Sequence, residues 1–336
     1  MIRSATTLVT GIVATVALLL PSLPAQAADP AAAAKAGAYL TSQAAAAEAG
    51  EPGSMIDTAL GLVASGEAAA AGPLVTRATG TAGTYAATAP EAAAKLAILA
   101  DAVGADPKAF GGTNLLAAVT AGVKADGAFG AYPGAWASGL GLVALERADA
   151  DVPATMVTFL LAQANDDGGF GYASGQPSDA DNTGMALIAL AAAGEAPGVA
   201  EARVEALAWA SAQQAADGSW AGYNPVNSTA VMAMGLQASG QDAAKAVTYL
   251  AGQQAADGSF SDKGTPNLLA TAQAALPLAG VTYLDVSEAP AAPAAAAPAP
   301  VAAEAGTGSL AWWVIGGALL AAVIWLVVKR RGALTR

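Results

Sequence analysis

The sequence predicts an all-α fold of six helical hairpins, followed by a C-terminal transmembrane helix. Three observations predict it: a repeat of about forty residues, alanine-rich segments that end at glycine, and one long uncharged stretch before a basic tail. Alanine is the strongest helix former and lets helix backbones approach closely. The chain has no cysteine and no histidine, so a disulfide framework, a thiol nucleophile, a Ser-His-Asp triad and the usual zinc sites are excluded.

In chain order, the first element is an address. Arg3 precedes an apolar stretch from Leu8 to Leu20, and small residues end in Ala25-Gln26-Ala27. That is the pattern of a secretory signal peptide, with cleavage expected after Ala27. A buried N-terminal helix would leave the Ala-x-Ala triplet without a reason. The predicted organisation is a signal peptide at 1–27, a repeat domain at 28–287, a linker at 288–309, a membrane helix at 310–328 and a cytoplasmic tail at 329–336.

The repeats carry the fold. Ala212-Gln213-Gln214-Ala215-Ala216-Asp217-Gly218-Ser219-Trp220 matches Gly252-Gln253-Gln254-Ala255-Ala256-Asp257-Gly258-Ser259-Phe260 at seven of nine positions, forty residues on. A third copy is Ala162-Gln163-Ala164-Asn165-Asp166-Asp167-Gly168-Gly169-Phe170, and Asp126-Gly127-Ala128-Phe129 is a shorter one. Small-residue apolar segments follow at Trp136–Asp149, Asp181–Gly194, Asn227–Gly240 and Asn267–Gly280, and earlier segments of the same kind run Gly53–Gly66 and Glu91–Gly104. Each reads as a helix, mostly stopped by glycine. Another helix precedes each, for example Ala200–Gln214 and Asp242–Gln254, with Asp242 and Asp151 as expected N-caps. Six such hairpins either close into a ring or stack as an open solenoid.

The pattern Gln-x(2–3)-Asp-Gly-Ser-Trp/Phe, between one helix and a small-residue helix, resembles the QW repeat of squalene and terpene cyclases and protein prenyltransferases. The resemblance covers roughly residues 35–283. It implies an (α/α)6 toroid, with the first helix of each pair outside and the second lining a central cavity. The Asp-Gly pairs read as turn chemistry. Gln213 and Gln253 are expected to cap neighbouring helix ends, with Trp220 or Phe260 packed on them.

The starts of the inner helices are the candidate site, because helix N-termini favour polar or anionic groups. Ser178-Asp179-Ala180-Asp181-Asn182-Thr183 resembles the Asp-x-Asp-Asp-Thr-Ala motif of class II cyclases, which implies Asp181 as an acid with Asp179 upstream. Asn182 departs from that motif. At the equivalent place the next two repeats have Asn227 and Asn267, and Asp, Asn and Asn in one column is what helix capping requires. The zinc site of prenyltransferases and the thioester of complement-like proteins need residues that this chain lacks.

What the resemblance leaves is an extracellular binding toroid, with cobalamin carriers as the example of the type, although their β-rich second domain is missing. The side chains placed at the mouth are Trp136, Tyr172, Asp179, Asp181, Tyr223, Asn227 and Asn267. Tyr172 and Tyr223 lie in loops that lead to inner helices, where a ring either packs under the loop or meets a ligand. The expected function is capture of a small molecule, hydrophobic or corrinoid-like, with no cofactor and no metal. A cyclase acting through Asp181 and a structural or adhesive surface protein are the alternatives.

Glu288–Ser309 is almost wholly Ala, Pro, Gly and Glu, a spacer of twenty-two residues that reaches about 70 Å if extended. Leu310–Val328 holds nineteen uncharged residues, and at 1.5 Å each they span roughly 29 Å, the thickness of a bilayer's hydrocarbon core. Trp312 and Trp313 suit the outer interface. Lys329, Arg330 and Arg331 suit the cytoplasm, which leaves everything before Leu310 outside the cell. No Leu-Pro-x-Thr-Gly signal precedes the span, so retention in the membrane is expected, with a membrane importer as a natural partner. The region between leader and span carries nine basic and all twenty-six acidic residues, a net charge of −17, so nucleic acid is not an expected partner.

Overall fold

The computed structural model describes residues 27–288. The expected membrane helix and basic tail, and nearly all of the expected leader and linker, lie outside the described residues. Among the described residues the fold is all-α, with twelve helices and one short hairpin. The helices are α1 (Pro30–Ala49), α2 (Pro52–Ala64), α3 (Ala68–Ala86), α4 (Pro90–Ala102), α5 (Leu115–Ala121), α6 (Ala135–Arg147), α7 (Ala154–Leu161), α8 (Ala180–Ala192), α9 (Val199–Gln213), α10 (Pro225–Ala238), α11 (Ala244–Gln253) and α12 (Leu268–Ala279). The hairpin pairs β1 (Ser261–Asp262) with β2 (Thr265–Pro266) and was not expected.

Local chemistry explains the ends of these elements. Pro30, Pro52, Pro90 and Pro225 open their helices, where a missing N–H costs nothing. The even-numbered helices finish with Gly66, Gly104, Asp149, Gly194, Gly240 and Gly280, all at positive φ. Five of these stops carry a closing bond back five residues, such as Glu67 N–H to the Leu62 carbonyl and Val281 N–H to the Leu276 carbonyl. Asp242 accepts the N–H of Ala244 from one residue ahead of the expected place, because the N-cap position of α11 is Ala243. Asp151 does not cap α7, whose N-cap position is Pro153 and has no side-chain bond.

The even-numbered helices are buried almost all round, and each packs on the next: α2 on α4, then α6, α8, α10 and α12, which returns to α2. Apolar residues on every face mark helices that solvent does not touch. Small residues let them approach: a Cβ at Gly184 would stand 2.8 Å from the Met232 nitrogen, and one at Gly61 would stand 2.9 Å from the Ala272 backbone. The odd-numbered helices each bury one stripe. In α3 it is Ala71, Leu74, Ala78 and Ala82.

Each Asp-Gly turn touches the odd-numbered helix that follows it. Gly127 meets the Thr155 carbonyl at the start of α7, Gly168 meets Glu205 in α9, and Gly218 meets Lys245 in α11. Gly258 meets Lys35 in α1, so the last turn lies on the first helix. Gln254 adds a bond from its amide to the Ala32 carbonyl at 2.9 Å. The aspartates hold the turns: Asp217 and Asp257 each accept from the N–H and hydroxyl of the following Ser219 or Ser259, and these bonds lower both carboxyl pKa values. The aromatic after each turn is tied inward. Phe170, Trp220 and Phe260 donate their N–H groups to the buried hydroxyls of Thr183, Thr229 and Thr271.

The opposite ends of the even-numbered helices are crossed by residues 281–288. Arg147, at the end of α6, donates to the carbonyls of Tyr283 and Val286 and pairs with Asp101. Glu288 N–H bonds the Ala102 carbonyl at 2.9 Å, so the described chain ends on this side. At the other terminus, the Ala27 carbonyl accepts from Gln237 at 2.8 Å.

A methyl at Gly258 would stand 2.1 Å from the Lys35 carbonyl oxygen, at a φ of +89°. Gly258→Ala is therefore expected to cost about 2–4 kcal/mol in urea unfolding of the whole chain, from backbone strain plus overpacking. Gly80 lies inside α3 with open space around it, and Gly80→Ala should stabilise by about 0.5–1 kcal/mol. Equal effects at the two sites would show that the turn contact is not made.

Candidate functional site

Contacts between neighbouring even-numbered helices join positions at similar distance from their starts. Asp57 meets Lys95, the sixth residue of α2 with the sixth of α4, and Ser228 meets Asp181, the fourth of α10 with the second of α8. These helices therefore run parallel, and their N-termini share one face. The loops ending at Gly134, Asp179, Asn224 and Asn267 rim that face.

Asp179 is the N-cap of α8. It accepts the Asn182 N–H at 2.8 Å and also holds the Asn182 side-chain amide. Asn267 caps α12 through the Ala270 N–H at 2.9 Å. Asp181 and Asn227 are not caps. The cap of α10 is Asn224, and Asn227 instead donates its amide to Gln273 on α12. The buried threonines set the true alignment, which places Asp181 with Asn227 and Leu269, and places Asn267 with Asp179. The single capping column expected from sequence is thus two columns, and capping does not account for Asp181.

Asp181 is half-buried in the first turn of α8 and accepts the Ser228 hydroxyl at 3.1 Å. Burial pushes its carboxyl above the usual aspartate range, against the Ser228 bond, and the charge of Asp179 adds to the rise. Gly222 lies directly over this pair: a Cβ there would stand 1.9 Å from the Ser228 hydroxyl and 3.6 Å from the Asp181 carboxylate. Trp136 is half-buried against the core near the start of α6. Tyr172 and Tyr223 do not pack under their loops, since they are 65% and 80% exposed.

Below the rim is a polar group that sequence reasoning missed. Lys95 pairs with Asp57 at 2.7 Å and also donates to the Gly53 carbonyl. Burial raises the Asp57 carboxyl in spite of the Lys95 charge. The Tyr283 hydroxyl bonds Gln273 and is pushed up, first by burial and then by Asp57. These side chains satisfy one another from α2, α4, α12 and the crossing segment. Their signal was present in the sequence as Asp57, the one charge in α2, and Lys95, the one charge in the middle of α4.

Two further residues of the rim were also missed. Tyr132 is 87% exposed and stands three residues after Phe129, as Tyr223 stands after Trp220. Aligning the loops after the turns, and not only the turns, reveals it. Lys263, three residues after Phe260, places its ammonium 4.4 Å from the Tyr223 ring centre and 3.2 Å from its hydroxyl. The glutamine expectation was one residue out. Gln214 and Gln254 brace the turns through the Gly218 and Gly258 carbonyls, while Gln213 and Gln253 are exposed.

The described residues form two grooves, the first of them bordered by Gly175, Gln176, Pro177 and Ser178 of the loop that ends at Asp179. One, of about 780 Å³, lies beside the Asp167 turn between Trp209, Gln213 and Gln176. The other, of about 390 Å³, lies between α3 and the Phe110 loop, with Glu288 at its edge. Among the described residues, no group of three or more acidic side chains is placed to hold a metal ion. Among the described residues, too, no helix is long and apolar enough to cross a membrane. The chain matches no family model and no curated protein sequence.

A carboxyl held high in the folded state favours folding while it is protonated, and that advantage is lost as pH rises through its folded value. Asp181→Asn should therefore match or exceed the parent in stability near pH 7, and the gain should vanish in acid. Denaturant titrations at both pH values test this, and a loss at neutral pH would contradict it. Lys95→Met strands a buried carboxylate and should cost about 3–5 kcal/mol, most of it recovered in Asp57→Asn/Lys95→Met.

Proposed function

We propose that this chain is a membrane-tethered extracytoplasmic binding protein, built as an (α/α)6 toroid, whose ligand sits on the face formed by the inner-helix N-termini. The closed cycle of even-numbered helices and the outer position of the odd-numbered ones support the toroid. The leader, the Pro/Ala-rich linker and the span at 310–328 support the placement outside the cell.

One observation carries the binding reading. Among the described residues five large apolar side chains are exposed, and four of them, Tyr132, Tyr172, Tyr223 and Leu269, stand on this one face. Val204 on α9 is the other. Exposed rings concentrated on one face mark a binding surface better than the same residues scattered singly. The mutual satisfaction of Asp57, Lys95, Gln273 and Tyr283 along the axis favours contact at the mouth over a ligand swallowed whole. An acid catalyst at Asp181 is the second reading. Its raised carboxyl favours it, while the exposed setting of the nearby rings gives a cationic intermediate little shielding.

Native mass spectrometry of the full-length chain, released from detergent after mild extraction from its own source, tests the binding reading. A bound mass should be present on the parent and strongly reduced in Tyr132→Ala/Tyr172→Ala/Tyr223→Ala. Retention of the same mass by the folded triple variant would place the ligand elsewhere.

A further inference from the structure

We propose that the occupant of the tyrosine rim is a polypeptide segment bearing several lysine or arginine side chains. This inference rests on the mouth being the binding face, and it names the chemistry of the ligand.

The rim already shows what it accepts. Lys263 occupies the tip of the β1–β2 hairpin at φ +50°, a conformation that a lysine adopts at a cost and that a two-residue turn usually gives to asparagine or glycine. From there it reaches across to the neighbouring loop, lays its ammonium over the Tyr223 ring and donates to the hydroxyl. Tyr132 and Tyr172, three residues after Phe129 and two after Phe170, present the same kind of ring in the preceding loops, with no cation of this chain over them among the described contacts. The loops are contiguous: a Cβ on Gly134 would touch the Tyr172 carbonyl at 2.5 Å.

Charge selects the same partner. The helix N-termini on this face would attract an anion, yet the chain meets them with its own carboxylates. Asp179 caps α8, Asp181 stands in its first turn, and Glu91 in the first turn of α4 accepts the Ala131 N–H. An anionic ligand would meet these carboxylates, and a cationic one is drawn to them.

Magnitude decides for a polymer. One exposed cation–π contact is worth about 0.5–1 kcal/mol, too little to retain a lone ammonium. Rings repeated from loop to loop suit a chain that offers several cations, because each further contact is then intramolecular. Lys263 is the tethered stand-in that such a chain displaces from Tyr223.

Fluorescence anisotropy of labelled hexalysine, titrated with the full-length protein in detergent at fixed low salt, tests the proposal. Tyr132→Ala/Tyr172→Ala/Tyr223→Ala leaves the net charge unchanged and should weaken binding at least tenfold, while the triple Phe variant should stay within about threefold of the parent. Lys263→Ala should tighten binding by vacating the Tyr223 ring. Equal affinity for the parent and the folded triple alanine variant would mean generic attraction to an acidic surface and would overturn the proposal. Rim-dependent binding of a neutral oligosaccharide, with none of hexalysine, would also overturn it while leaving the mouth as the binding face. Loss of every rim-dependent ligand would remove both readings.

Discussion

The contact on which the rest of the structure depends is a glycine laid against the backbone of the next repeat. At Gly127, Gly168, Gly218 and Gly258 the turn presses so closely on the following odd-numbered helix that no side chain fits between them. Each such contact fixes where one hairpin stands relative to the next. The last one, Gly258 on Lys35, joins the end of the series to its beginning, and Gln254 on the Ala32 carbonyl reinforces it. With the order of hairpins fixed in this way, the even-numbered helices run parallel and bring their N-termini to one face.

That arrangement divides the molecule by chemistry. On one face the helix starts are met by Asp179, Asn224 and Asn267, and the loops above them expose tyrosine rings. On the other, Arg147 fastens residues 283–286 across the helix ends. Between the faces the helices approach through glycine and alanine, and four polar side chains are paired in the Asp57–Lys95 and Gln273–Tyr283 contacts. Breaking such a pair costs far more than forming it gains, so these groups are bound to one another first. The rings exposed on the first face lie outside this paired interior.

Much of the scaffold was legible in the sequence, because its signals are local. The segments read as inner helices match α2, α4, α6, α8, α10 and α12 to within about two residues at each end, since proline and glycine punctuate both ends. The site was less legible because it depends on register across repeats of unequal loop length. Thirteen residues separate Phe170 from Thr183, nine separate Trp220 from Thr229, and eleven separate Phe260 from Thr271. Residue type alone merges the asparagines of two columns, and helix capping then leaves the separate environment of Asp181 unseen. The Gln214 and Gln254 braces were missed by one position for a similar reason: adjacent identical residues give the sequence no means of choosing between them. The Lys263 hairpin exists in a single loop, so no repeat announces it.

The contact of the last turn with the first helix underlies the common face, and it can be measured directly because the chain has no cysteine of its own. Spin labels on Lys35→Cys and Ala256→Cys, both exposed positions, report the separation of the first helix from the last turn. Neighbouring elements lie about 8–10 Å apart, so the account predicts a single narrow distance below about 20 Å in the full-length protein. A broad or much longer distance in a folded chain would mean an open stack of hairpins, with no shared mouth for the tyrosines to rim.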